Sequence, residues 1–148
     1  MTKYALDTNI ITYYLKGGKN IINRITEETD NENCIIIPPM VFYEIKRWLL
    51  TINSNKKLSL FETMCSLSGI GSIDREILEA ASVIYSDLQK TGITVEDNDI
   101  LIAAYCIRHN LTLVTNNEKH FSRIANLKTV NWLINIHDNS CHSVIKIS

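Results

Sequence analysis

Lys3-Tyr4-Ala5-Leu6-Asp7-Thr8-Asn9 opens the chain as a short apolar strand that ends in a carboxylate and two small polar residues. A helical pattern follows at once, with Ile10, Ile11, Tyr14 and Leu15 on one face and Thr8 or Asn9 as the expected cap, so the segment reads as the first β-α unit of an α/β fold. Lys16-Gly17-Gly18 closes that helix, and a second is expected from Asn20 to about Thr26, before a polar loop from Glu27 to Asn33. Cys34-Ile35-Ile36-Ile37 is a continuous apolar, β-branched run of the kind that a parallel sheet buries on both faces. Pro38-Pro39 stops it and opens a helix to about Ile52, with Val41, Ile45, Trp48 and Leu49 on one face.

Asn53 to Lys57 reads as a loop, Leu58 to Leu67 as a short amphipathic helix and Gly69 to Ile73 as a candidate third strand. A long helix is expected from Asp74 to Thr91, with Ile77, Leu78, Ala81, Ile84, Tyr85 and Leu88 inward and Gly92 as its left-handed terminator. Asp97 is the expected cap of the next helix, which Asn110 ends near His109. Leu111 to Thr115 is another buried strand, Asn117 to Phe121 a short helix and Lys128 to Trp132 a last strand. Strands alternating with helices predict a central, mostly parallel sheet flanked by helices.

A chain of 148 residues suits one domain with a real core. With 45% hydrophobic and 21% charged residues and only five Gly and two Pro, it is a folding composition and not that of a disordered tail. The formal charge of −1 does not announce a nucleic-acid binder by itself, so any such role has to come from local clustering of Lys and Arg. No basic leader precedes an apolar stretch and no apolar run reaches transmembrane length, so a cytoplasmic location is expected. Cys34, Cys65, Cys106 and Cys141 are widely spaced without a C-x-x-C pair, which excludes a zinc finger or redox motif; Cys34 and Cys106 read as small core residues. His137, Cys141 and His142 sit in a polar tail without a second ligand pair, so a terminal segment is the simpler reading.

In an open parallel sheet, ligands gather outside the carboxyl ends of the strands. That rule collects the acids. Asp7 ends the first strand, Glu44 lies within about two turns of the second, Asn116-Asn117 follow the Leu111–Thr115 strand, and Asp97 and Asp99 open the helix before it. Carboxylates at such a rim suit hard divalent cations, Mg²⁺ or Mn²⁺, whose retained waters can become nucleophiles. Each acid also has a structural reading: Asp97 as an N-cap, Asp99 as a first-turn acid favoured by the helix dipole, Asp7 as a cap. Glu44, on the edge of an apolar stripe between Tyr43 and Ile45, needs a partner, and Lys46 and Arg47 are not at the spacing to supply one.

These residues carry a resemblance. Leu6-Asp7-Thr8-Asn9, Tyr43-Glu44-Ile45, Asn98-Asp99-Ile100-Leu101-Ile102-Ala103-Ala104 and Leu113-Val114-Thr115-Asn116-Asn117 with His120-Phe121, and finally Asn131-Trp132, stand in the order and spacing of PIN-domain ribonucleases, and within them the VapC toxins of bacterial toxin–antitoxin modules. The chain resembles that family over residues 1–132, a single PIN-like domain, with 133–148 left as a C-terminal tail of no assigned role. The resemblance implies a Mg²⁺- or Mn²⁺-dependent endoribonuclease in which Asp7, Glu44, Asp99 and Asn117 are catalytic. Asp7, Asp99 and Glu44 would be the metal ligands, with Asp97 as an additional one, and water attacks an RNA phosphodiester to leave a 5′ phosphate. Thr8, Asn9, Thr115 and Asn116 are the expected donors that orient the acids. It further implies an RNA substrate such as tRNA or rRNA, a VapB-like antitoxin and a homodimer. Many PIN domains have an aspartate where Asn117 stands, which leaves one or two metals open.

Positive charge near the rim is the remaining requirement. Lys46 and Arg47, with Lys119 and Arg123 after the Asn pair, are the candidates for phosphate contacts, although a solvated helix face accounts for any one of them. Haloacid-dehalogenase-like phosphatases also place an aspartate after the first strand, but they use a second aspartate two residues on, where this chain has Asn9. A receiver-type phosphoacceptor lacks its acid pair and lysine here. The alternative from another class is a non-catalytic PIN-like module that binds RNA or protein, and the neutral Asn117 is its support.

Overall fold

Four strands in the computed structural model, which describes residues 1–133, form one sheet with every neighbouring pair parallel. They are β1 (Lys3–Leu6), β2 (Cys34–Ile36), β3 (Thr112–Val114) and β4 (Lys128–Val130), in the order β2-β1-β3-β4. The helices are α1 (Thr8–Leu15), α2 (Lys19–Asp30), α3 (Pro39–Ile52), α4 (Asn55–Ser68), α5 (Arg75–Lys90), α6 (Asp97–Arg108) and α7 (Glu118–Phe121). From β1 the chain builds first to one side, onto β2, and later to the other, onto β3. The carboxyl ends of β1 and β3 therefore form the topological switch point where an open α/β sheet receives its ligands.

The alternation read from sequence corresponds to these elements, with corrections at several of them. Asp7, and not Thr8 or Asn9, caps α1, its carboxylate accepting from the Thr8 amide. Glu96, not Asp97, is the N-cap of α6. α2 runs four residues beyond Thr26, because Glu28 turns inward and is held by Arg24 at 2.8 Å and by the Asn33 amide at 2.6 Å. α4 starts at Asn55, inside the expected loop, since the Ser54 hydroxyl accepts from the Lys57 amide. The Gly69–Ile73 segment forms no strand; it contributes a single parallel bridge, Ile37 to Ile70.

The core lies between the sheet and the helices. Leu6, Ile10, Ile37, Val41, Phe61, Ile102 and Leu113 are fully enclosed. α6 is the most buried helix, as its Ile100-Leu101-Ile102-Ala103-Ala104 run implies, with Tyr105 and Cys106 also inside. On α5 the inward stripe is narrower than expected: Ile77, Ala81 and Leu88 are buried, whereas Leu78 and Tyr85 are 50% and 47% exposed. Trp48 is only half-buried, with the Lys57 ammonium 5.9 Å from its ring centre. Cys106 and Cys65 are core residues, but Cys34 is half-buried. Leu133 packs in the core beside Trp132, so the domain includes the first residue assigned to the tail. The rest of that tail, with His137, Cys141 and His142, lies outside the described residues. Among the described residues no helix is long and apolar enough to cross a membrane.

Phe121 anchors the four-residue α7 through a ring that is 1% exposed. Phe121→Ala should cost about 3–5 kcal/mol by loss of burial and creation of a cavity, read as a lower urea midpoint at unchanged slope.

Candidate active site

Asp7 is the deepest charged group at the switch point. The residue is 5% exposed and leaves β1 with its amide bonded to the Val114 carbonyl on β3. That pairing sets its carboxylate beside Thr115, which follows β3. Asp7 Oδ2 accepts from Thr115 Oγ1 at 2.7 Å and Oδ1 from the Thr8 amide at 2.8 Å. The Thr115 hydroxyl in turn accepts from the Asn117 amide at 3.0 Å, so one side chain orders both Asp7 and the turn that carries Asn117.

An open cleft of about 410 Å³ lies over this pair. Asp7, Glu44, Asp99 and Asn117 all line it, with Thr8 and Asn9 from the start of α1. Glu44 arrives from the second turn of α3 and Asp99 from the first turn of α6, each half-buried. Burial is the first cause that holds all three carboxyls above their ordinary values. Mutual charge adds to it, Asp99 acting on Asp7 and Asp7 on Glu44. For Asp7 the Thr115 and Thr8 hydrogen bonds offset part of the effect, and for Asp99 the neighbouring His120 does so.

His120 Nε2 lies 3.0 Å from Asp99 Oδ2. It sits three residues beyond Asn117 on α7, held by the burial of Phe121, and the sequence reading gave it no role. Thr12, Tyr13 and Lys16 of α1 and its end also line the cleft. Helical spacing from Asp7 through Thr8, Thr12 and Lys16 was the available signal for them. Asp97, by contrast, does not reach the cleft. It is exposed and lines a separate groove with Leu78, Tyr85 and Leu101, because the residue after an N-cap points away from the strand ends. Asn116 is exposed and does not line the cleft. Of the basic candidates, Lys46 is ion-paired with Glu62 and Arg47 lies over the Tyr43 ring at 5.0 Å. Lys119 and Arg123 are exposed and outside the cleft lining.

The donor set fits a hard divalent cation in kind: three carboxylates and the Asn117 side-chain carbonyl, all oxygen. Among the described residues Asn9 Oδ1, buried at the same cleft, completes no hydrogen bond, a condition that ordered water around a cation would relieve. Among the described residues, however, no three His, Cys, Asp or Glu side chains converge into a ready ligand set. Asp99 is instead hydrogen-bonded to His120 on its own wall of the cleft.

The family model for the PIN domain matches residues 4–127. The chain is 32% identical over 134 residues to a protein named Ribonuclease VapC2 from Rickettsia felis, covering 87% of this chain and 97% of that one. It is 30% identical over 138 residues to a Ribonuclease VapC2 from Haemophilus influenzae, covering 90% and 100%. Among solved structures, VapBC2 from Rickettsia felis bound to a DNA fragment from its promoter superposes with a TM-score of 0.80 at 30% identity, over 88% of this chain and 99% of that one. A DNA-bound VapBC from Salmonella typhimurium gives 0.79 at 25% identity, over 89% and 99%.

Folding raises the carboxyl pKa values above the ordinary 3.8 of Asp and 4.5 of Glu, so the native state takes up protons. Their contribution to stability is therefore full below those ordinary values and is lost as pH rises through the elevated native ones. Thermal melts in EDTA should show Glu44→Gln more stable than wild type at neutral pH, with the two converging below pH of about 4. Thr115→Val keeps the shape but strips Asp7 of its donor and the Asn117 amide of its acceptor, and should cost about 2 kcal/mol in chemical denaturation.

Proposed function

The chain belongs to the PIN-domain family, and we propose that it is a metal-dependent endoribonuclease acting as the toxin of a VapBC-type pair. The observation that supports this best is the convergence of Asp7, Glu44, Asp99 and Asn117 on one cleft at the sheet's switch point. The ribonuclease names of relatives at 30% identity or above, matched over nearly their whole lengths, support RNA as the substrate class. Solved VapBC structures support an antitoxin of the VapB type as the partner. For the self-association that the resemblance implies, the exposed Leu78 and Tyr85 beside Leu101 offer an apolar face.

Asp7, Asp99 and Glu44 would hold Mg²⁺ or Mn²⁺, with the Asn117 carbonyl as a neutral fourth donor. The chemistry supplied by a bound divalent cation is activation of water and neutralisation of the charge that builds on a phosphoryl oxygen. The chain's own groups do the rest. Thr115 and the Thr8 amide fix Asp7 in one orientation, so its carboxylate needs no reorganisation during reaction. His120 fixes Asp99 in the same way from the other wall. Glu44, half-buried on α3, brings the third carboxylate to the cleft. Lys16, at the cleft mouth, is placed to meet a phosphate of the bound strand. Attack at phosphorus with departure of the 3′ oxygen leaves a 5′ phosphate and needs no 2′ hydroxyl.

Purified protein incubated with structured RNA and Mn²⁺ or Mg²⁺ should cleave it to 5′-phosphorylated fragments. EDTA should abolish cleavage, and Asp7→Asn should slow it by about 10²-fold or more. Cleavage that persists in both controls refutes the metal reading, and absence of cleavage with every RNA and metal points to a binding module.

A further inference from the structure

Phosphate contacts were expected on α3 and after Asn117, but among the described residues the lysine that lines the cleft is Lys16, at the end of α1. A groove of about 560 Å³ runs between the end of α1, α2 and the start of α4. Lys16, Lys56 and Lys57 line it, together with Tyr14, Ile22 and Leu60, and among the described residues no acidic one does. Lys16 also lines the acidic cleft, so cleft and groove adjoin at that side chain. We propose that this groove is a backbone track for single-stranded RNA, leading away from the bond to be cut. The proposal rests on the ribonuclease reading of the adjoining cleft.

Three features carry it. Among the described residues none of the three lysines is in an ion pair, with Lys57 5.9 Å from the Trp48 ring centre, whereas Lys46 is held by Glu62. Lys56 and Lys57 occupy the first turn of α4, where the helix dipole disfavours cations, and that turn contains no acid. Dipole and lysines therefore add to one concentrated positive potential facing the groove, which an exposed helix surface does not need and a polyanion would use. The floor is apolar and accessible: Ile22 and Leu60 are 36% and 38% exposed, and the half-buried Tyr14 stands beside them. Lysines over an apolar and aromatic floor are the pairing that single-stranded nucleic acid takes, phosphates to the cations and bases to the floor. A neutral or basic peptide gains nothing from the same charges. The acids of the cleft repel the strand everywhere except at the metal, so the lysines supply the hold that the chemistry cannot.

The test is fluorescence anisotropy of a labelled single-stranded oligoribonucleotide with the full chain in EDTA, which measures binding without cleavage. Lys56→Ala/Lys57→Ala should weaken binding by about three- to tenfold near 0.1 M salt and lower the magnitude of the log–log salt slope by about 1.4, at about 0.7 for each contact to a single strand. Lys56→Arg/Lys57→Arg should retain binding, and Lys90→Ala, at the far end of α5, should match wild type. In Mn²⁺ the alanine pair should raise KM with kcat nearly unchanged. Wild-type affinity and salt slope in the alanine pair, or a loss equal to that of Lys90→Ala, overturns the proposal and assigns the groove to a protein partner; so does wild-type protein that binds no RNA. Weakened binding in a protein that cleaves nothing upholds the track and refutes only the ribonuclease reading.

Discussion

A carboxylate buried at the point where the sheet reverses its direction of growth is the constraint on which the rest of the site depends. Asp7 is almost wholly enclosed, and an ion in that position is tolerated only if its oxygens are bonded. The two bonds it has come from opposite ends of the chain: the Thr8 amide next to it, and the Thr115 hydroxyl 108 residues away. The second exists because β1 and β3 pair in parallel with Leu6 opposite Val114. Slipping that register by one residue would turn Thr115 to the other face of the sheet and leave Asp7 half-bonded. Fold and site are thus coupled through a single hydrogen bond.

The remaining acids are arranged around that fixed charge under tension. Asp99 disfavours ionisation of Asp7, and both disfavour that of Glu44, while burial works in the same direction on all three. A cleft built this way is less stable ionised than it would be with neutral side chains, which is the usual cost of a functional site. His120 relieves part of it from the Asp99 wall. The same excess of negative charge would keep an RNA strand away, so the lysines at the groove beside the cleft and the acids inside it are complementary parts of one arrangement.

Much of this was legible along the chain, for identifiable reasons. Strand ends, the prolines at 38 and 39, Gly92 and Asn110 are local signals, and the left-handed backbone of the last two is where the helices stop. Asp7, Glu44 and Asp99 were recoverable because the rule about strand carboxyl ends needs only element order. Asp97 was not, since one residue's shift in the cap rotates a side chain by about 100° on the helix and out of the cleft. Leu78 and Tyr85 belong to the apolar stripe expected to face inward on α5, but their flank stays exposed. The extension of α2 depends on Arg24 and Asn33 meeting Glu28. His120 gained its place from packing of Phe121, and Lys56 and Lys57 from the folding of α4 against α1 and α2. Those are tertiary facts with no local signature.

If the acids of this cleft hold a divalent cation, it binds on Asp7. Anomalous diffraction from crystals grown with Mn²⁺ tests that placement most directly. A peak is expected at about 2.1 Å from carboxylate oxygens of Asp7 and Asp99, within reach of Glu44 and lost in crystals of Asp7→Asn. A peak elsewhere on the chain, or an undiminished peak in Asp7→Asn, would contradict it.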